Sequence, residues 1–323
     1  MPEFARVSVV VPAEVPLGQI PVKQRHIIRN AVLAAAAGVL VSIGVVMLLE
    51  YQRAPIGSPG MFQRRFGLSH LGTVPRWSKG GRRTTELAVN GAALTKEAEA
   101  IKQVAANIGF GTKAKGIKSL CVASPDLGEG RSSLIASLGY ALSFSEEKVV
   151  LVDADLRRPS LHAFFKLENT TGLSDLLSNP EIEIKDVLRD TVYSGVKVIT
   201  SGSPVSDPVA LLKSARLGAL VKRIEGEYHM VLVDTPPMAT LADGAVVAAQ
   251  VGGCVMVVNA STTRLDAVVM ALGNLEKAGA AMVGFIWNGV ASRSSGRYAR
   301  YQKHCRKQPQ TGESSPSLAG VPN

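Results

Sequence analysis

Ser124-Pro-Asp-Leu-Gly-Glu-Gly-Arg-Ser-Ser133 has the make-up of a phosphate-binding loop, with Arg131 standing where such loops carry a lysine. A mostly apolar run, Ile117 to Ala123, precedes it and reads as a buried strand, and Ser132 to Phe144 follows with helical apolar spacing. The stretch is therefore strand, loop and helix. Gly128 and Gly130 let the backbone bend so that successive N–H groups point inward at phosphate oxygens. The new helix aims its partly positive N-terminus at the same place, where the amides of Glu129, Gly130, Arg131, Ser132 and Ser133 gather. Ser132 occupies the position whose hydroxyl usually holds Mg²⁺. Arg131 supplies positive charge, but as a wide planar fork rather than the compact point charge of lysine. Phosphoryl transfer rests on positioning and charge stabilisation, so phosphate binding can survive this exchange while transfer geometry suffers.

Two further strands supply carboxylates. Val149-Val-Leu-Val-Asp-Ala-Asp-Leu-Arg-Arg-Pro159 is an apolar strand ending in Asp153 and Asp155, and Tyr228-His-Met-Val-Leu-Val-Asp-Thr-Pro-Pro237 is another ending in Asp234. Ligands in open α/β sheets bind beyond the carboxyl ends of the strands, and hard oxygen ligands there suit Mg²⁺ shared with phosphates. Strands are expected near 117–123, 148–152, 196–200, 230–234, 253–258 and 281–287, alternating with helices. The fold expected is a doubly wound, mostly parallel α/β sheet preceded by one transmembrane helix.

That helix is read from Ala31 to Leu49, an uncharged run of 19 residues bracketed by Arg29 and Glu50. At ~1.5 Å per residue it spans ~28 Å, close to the ~30 Å hydrocarbon thickness. A cleaved signal peptide fits poorly, because the apolar stretch is long and no small-residue cleavage pattern follows Glu50. The near flanks tie at three Lys/Arg each, while Arg76, Lys79, Arg82 and Arg83 tilt the balance toward a cytoplasmic C-terminal side. The need of the loop for ATP, which is available in the cytosol, decides the orientation.

The chain of 323 residues carries a net charge of +10, and the charge is unevenly placed. Segment 51–90 holds seven Lys/Arg and one Glu, segment 291–323 six and one, and segment 1–50 four and three, which leaves −2 for 91–290. A nucleic-acid-binding body would carry the positive charge itself. Attraction of the basic segments to an anionic inner leaflet is the better reading, at ~1 kcal/mol per basic residue near the surface. Cys121 and Cys254 lie in apolar strands, Cys305 is alone in the tail, and none has metal-ligand spacing, in keeping with a reduced cytosol. The scattered histidines, His162 among them, form neither a nucleophilic triad nor a zinc site.

Ser124 to Ser132, Val152-Asp-Ala-Asp-Leu-Arg-Arg-Pro159 and Val233-Asp-Thr-Pro-Pro237 resemble the Walker A, Walker A′ and Walker B motifs of bacterial tyrosine kinases, the P-loop autokinases of capsule and exopolysaccharide assembly. Gly202 to Ser214 resembles the segment after that family's third strand, with Asp207 and Ala210 where Asn and Glu are usual, and similarity continues through Thr263-Arg264 to Asn288. The resemblance covers nearly all of about Glu97 to Val290. It implies ATP and Mg²⁺ as cofactors, Arg131 at the β- and γ-phosphates, and Ser132, Asp153 and Asp234 at the metal. Asp153, Asp155 and Asp234 would also activate the attacking tyrosine hydroxyl, and Asn288 would lie near the nucleotide base.

The organisation that follows is a short extracytoplasmic segment (1–26), a transmembrane helix (27–50), a basic juxtamembrane linker (51–95), a kinase-like domain (96–290) and a disordered basic tail (291–323). The chain is expected in the bacterial inner membrane, single-pass, with the kinase-like domain in the cytoplasm. Tyr298 and Tyr301 in the tail correspond to the family's C-terminal autophosphorylation cluster. Partners expected are the polysaccharide polymerase and export machinery, an extracytoplasmic activator on a separate chain, anionic lipids and further copies of the chain, but not nucleic acid. Lys102 and Ala105 stand where the family's subunit-contact helix carries arginines, so the second arginine's bidentate pair with a neighbour cannot form. The family's first transmembrane helix and large extracytoplasmic domain are not among these residues; a split gene product, a fragment and a reading frame that starts upstream of Met1 all fit. Two rivals stay open. A partitioning or division-site ATPase is disfavoured by the transmembrane helix and by Asp126, which stands where those ATPases place a signature lysine. A nucleotide-sensing pseudokinase scaffold is favoured by Arg131, Lys102 and Ala105.

Overall fold

The computed structural model describes residues 22–52, 57–76, 95–144 and 148–291. The chain divides into two units, Met1–Ala54 and Pro55–Asn323. The described part of the first is one helix, α1 (Val22–Gln52). Its stretch His26–Met47 has mean hydropathy 2.2 and is long and apolar enough to cross a membrane. Ile27, Leu33, Leu40 and Met47 are all exposed on it.

The second unit begins inside the segment read as a linker, which requires a correction. Ser58 caps α2 (Pro59–Phe66) through its hydroxyl, Pro59 pre-sets the first turn, and Gly67 closes it in the left-handed conformation. The helix buries Phe62 against Phe66, Phe285 and Trp287, with ring centroids 4.7, 4.5 and 5.9 Å apart. Strand β1 (His70–Pro75) follows and joins the sheet edge. Residues 57–76 therefore belong to the domain, because an aromatic anchor and a strand inside a basic stretch outweigh its charge. Residues 77–94 lie outside the described part.

The remaining elements alternate. They are α3 (Lys96–Lys113), β2 (Ser119–Ala123), α4 (Arg131–Ser143), β3 (Val149–Asp153), α5 (Leu161–Phe165), α6 (Leu173–Ser178), α7 (Ile184–Val187) and β4 (Leu188–Asp190). Then come β5 (Val196–Ile199), α8 (Pro208–Lys213), α9 (Ala215–Glu227), β6 (Met230–Asp234), α10 (Ala242–Ala248), β7 (Gly253–Asn259), α11 (Leu265–Lys277) and β8 (Met282–Val290). The sheet order is β1-β8-β7-β2-β6-β3-β5-β4, parallel except for the β4–β5 pair. Strands β2, β3 and β6 are buried at every position, which is why they read as continuous apolar runs rather than alternating ones. Two apolar clusters, one on each face, sandwich the sheet. Cys121 and Cys254 are register neighbours inside it, and burial pushes the Cys121 thiol well up.

Helix α3 is capped by Thr95 and buries Ala98, Ile101, Val104, Ala105 and Ile108 at helical spacing. Ala105 faces the core, and Lys102 pairs at 3.2 Å with Glu99 of its own helix. Neither position offers a guanidinium fork to a second subunit.

Candidate functional site

Strand β2 lies between β6 and β7, so the chain leaves it toward β3 on one side and returns to β7 on the other. A crevice at the carboxyl ends is the geometric result of that reversal. The loop from Ser124 to Gly130 lines it. Gly128 (φ 74°) and Gly130 (φ 84°) adopt left-handed backbone there. A Cβ on Gly130 would also lie 2.6 Å from the Asn288 amide nitrogen. The loop is tied down by Met238 N–H and Ala239 N–H, which donate to the carbonyls of Ser124 and Pro125. It is closed from β8 by the Asn288 amide, which donates to the Glu129 carbonyl at 2.8 Å. Asn288 thus shapes the cradle by holding its backbone.

Arg131 opens α4, so its own N–H and those of Ser132 and Ser133 have no partner within the helix and remain available at the loop. The Ser133 hydroxyl turns back to the Gly130 carbonyl. Ser132 is half-buried beside it. Glu129 sends its side chain inward: it is 2% exposed, one oxygen accepts from the Thr263 hydroxyl, and Oε2 is buried without a partner. Burial raises this carboxyl to about 7. The Glu129 carboxylate is thus buried against Thr263 rather than open at the loop.

The acids converge as expected from strand ends. Asp153 and Asp234 are register neighbours on β3 and β6, and adjacent strands lie about 4.8 Å apart. Asp153 accepts from the N–H groups of Ser160 and Leu161 at 2.9 Å each and of Asp155 at 3.3 Å. Burial, then the facing Asp234, raise its carboxyl to about 7. Asp155 accepts from Arg158 N–H, and burial raises it despite the nearby Arg131 charge.

Arg131 is the centre of this group. Its side chain folds back from α4 to donate from Nε to Asp234 Oδ1 at 2.6 Å, from Nη1 to Ser124 Oγ at 2.8 Å and from Nη2 to Asp155 Oδ2 at 3.0 Å. Asp234 Oδ2 is buried with no partner. Ser124 was not singled out in the sequence, because a serine after a strand carries no distinguishing pattern. The same holds for Asp243, whose buried carboxylate takes Arg157 Nε at 2.6 Å and so clips the turn after β3 to α10. Tyr298 and Tyr301 lie outside the described residues.

The residues fit a nucleotide with a divalent ion in part. The N-terminal amides of α4 and two left-handed glycines make an anion cradle, and the unpartnered Asp234 oxygen beside it suits a cation. Arg131 occupies the other Asp234 oxygen.

Stability carries the imprint of the raised carboxyls. Asp153 and Glu129 have folded values near 7, above their ordinary 3.8 and 4.5. The native state therefore holds more protons than the unfolded one, and this contribution is full below about pH 4 and lost as pH rises through 7. Tm is expected to fall between pH 5 and pH 8. Asp153→Asn keeps an acceptor for the Ser160 and Leu161 N–H groups without the charge, so scanning calorimetry should find its decline with pH shallower.

No protein-family model matches the chain. It is 30% identical over 203 residues to the tyrosine-protein kinase YwqD of Bacillus subtilis, covering 63% of this chain and 85% of that protein. To the tyrosine-protein kinase CpsD of Streptococcus agalactiae it is 30% identical over 215 residues, covering 66% and 93%. To the tyrosine-protein kinase etk of Escherichia coli K12 it is 30% identical over 300 residues, covering 86% of this chain but 40% of that protein. The chain thus spans well under half the length of its longer relatives. Among solved structures, the kinase domain of E. coli ETK superposes with a TM-score of 0.65 at 30% identity, covering 72% of this chain and 94% of that one. The BceF tyrosine kinase domain does so at 0.67 and 27%, covering 73% and 100%. A strand-loop-helix cradle, two acid-tipped strands beside it and this level of identity across most of the shorter relatives lead to one conclusion: the chain belongs to the bacterial tyrosine-protein kinases.

Proposed function

We propose that the chain is a membrane-anchored, ATP-dependent tyrosine autokinase that regulates exopolysaccharide or capsule polymerisation and export. The observation that carries it is the meeting of the Gly128–Gly130 cradle with Asp153, Asp155 and Asp234 at three neighbouring strand ends. The α4 amides would hold the phosphates, and a carboxylate of the cluster would take the proton of the incoming tyrosine. Helix α1 would anchor the chain in the inner membrane with the kinase domain in the cytoplasm. The basic segments would lie against anionic lipid. Further partners on this reading are the polymerase and export machinery, a separate extracytoplasmic activator and other copies of the chain.

The Arg131 bonds favour a second reading, a nucleotide-sensing scaffold with little transfer activity, because a cation held by three protein partners is drawn away from the phosphate it would stabilise. One experiment separates them. The full chain in detergent is incubated with γ-labelled ATP and Mg²⁺ beside a Tyr298→Phe/Tyr301→Phe version. Label that disappears with the two tyrosines supports the autokinase. Absence of label from the unmodified chain, with retained nucleotide binding, supports the scaffold.

A further inference from the structure

The charge arrangement around Arg131 goes beyond a weakened lysine. Three carboxylates, Asp153, Asp155 and Asp234, offer six oxygens. Asp153 has both engaged by backbone N–H groups, Asp155 has one held by Arg158 N–H and one by Arg131, and Asp234 has one held by Arg131. Asp234 Oδ2 alone is without a partner. Arg131 is 8% exposed as a residue, and the guanidinium that fills this space reaches two carboxylates and a hydroxyl at once. The arginine fork spreads five N–H groups over three nitrogens, whereas a lysine carries its three donors on one. Three of the five are used in these bonds.

Mg²⁺ at the same carboxylates would need near-octahedral oxygen coordination at about 2.0–2.1 Å. It would have to form beside a fixed positive charge that already occupies the Asp234 and Asp155 oxygens, where like charges repel. We propose that Arg131 is the resident cation of this site: it takes the place of the divalent ion between Asp155, Asp234 and the bound phosphates. Nucleotide binding by this chain then depends little on Mg²⁺. This rests on the nucleotide-binding reading above for its second half only, because the exclusion of metal from the carboxylates concerns the nucleotide-free protein.

The test has two arms, both on the full chain in detergent. In the first, Mn²⁺ is titrated into nucleotide-free protein and followed by loss of the free-ion electron paramagnetic resonance signal. The unmodified chain is expected to bind Mn²⁺ at least about tenfold more weakly than Arg131→Lys or Arg131→Ala, a difference in the range of other changes beside metal ligands. Equal Mn²⁺ affinity in the unmodified chain and in variants shown by circular dichroism to be folded would overturn the inference. In the second, a fluorescent ADP analogue is bound in EDTA and in excess Mg²⁺. The unmodified chain should change its Kd by less than about threefold, under 0.7 kcal/mol. A loss of tenfold or more in EDTA would also overturn the inference, and needs no variant. Failure to bind the analogue under either condition would sink the nucleotide-binding reading and the claimed substitution for Mg²⁺ at phosphates, while the Mn²⁺ arm would still decide whether Arg131 excludes metal from the carboxylates.

Discussion

Asp234→Asn is expected to leave the domain folded while phosphotyrosine formation falls about a hundredfold or more. The side chain is fully buried at the end of β6, and its Oδ1 accepts the Arg131 Nε at 2.6 Å. An asparagine oxygen can accept that bond, and the substitution relieves the charge facing Asp153 on the neighbouring strand. Two effects on stability therefore oppose each other, a weaker ion pair and a smaller like-charge repulsion, and Tm should move by only a few degrees. Activity has no such compensation. An amide takes up no proton at neutral pH, and a catalytic contribution of that kind is typically worth about 10²–10⁴ in rate. Phosphotyrosine immunoblotting beside scanning calorimetry checks both halves. Unchanged labelling would remove Asp234 from the proposed chemistry, and collapse of the fold would show that the aspartate charge is structural.

Gly172→Ala should be the most damaging conservative change outside the site, costing about 3 kcal/mol or more. A Cβ there would lie 2.2 Å from the Thr200 carbonyl oxygen and 2.5 Å from the Gly202 nitrogen, both backbone. The segment cannot retreat easily. Leu173 N–H donates to Thr200 O, Ser174 N–H donates to Ser201 O, and Asp175 accepts from the N–H groups of Gly172 and Ser203. Gly226→Ala in α9 is the control, since nothing lies within 4 Å of the added methyl group. It should be neutral or stabilising by up to about 1 kcal/mol. Urea titrations of the two variants give the comparison, and similar midpoints would show that the turn after α5 adapts more readily than its hydrogen bonds imply.

The central strands were legible because burial on both faces leaves unbroken apolar runs, and each expected strand lies within a few residues of its observed position. The edges were not. Strand β1 hides in a basic segment with glycine and proline, and its partner β8 is more than 200 residues away, so no local pattern announces the pairing. Strand β4 has three residues and one half-buried position, too short for a period-2 signal.

For the site, sequence alone determined the glycine loop, the arginine in the place of lysine and three acids at strand ends. These are local features, fixed by residue type and by distance from an apolar run. Tertiary structure decided what those residues touch. That Asp153 faces Asp234 depends on β6 inserting beside β3, that Asn288 holds the loop depends on β8 returning past it, and that Arg131 reaches Ser124, Asp155 and Asp234 depends on three strands ending level. The physical reason is that charge and hydrogen bonding act over a few ångströms of space regardless of separation along the chain. A sequence shows which groups are present, and only the folded sheet brings an arginine within 3 Å of two aspartates that lie 24 and 103 residues away.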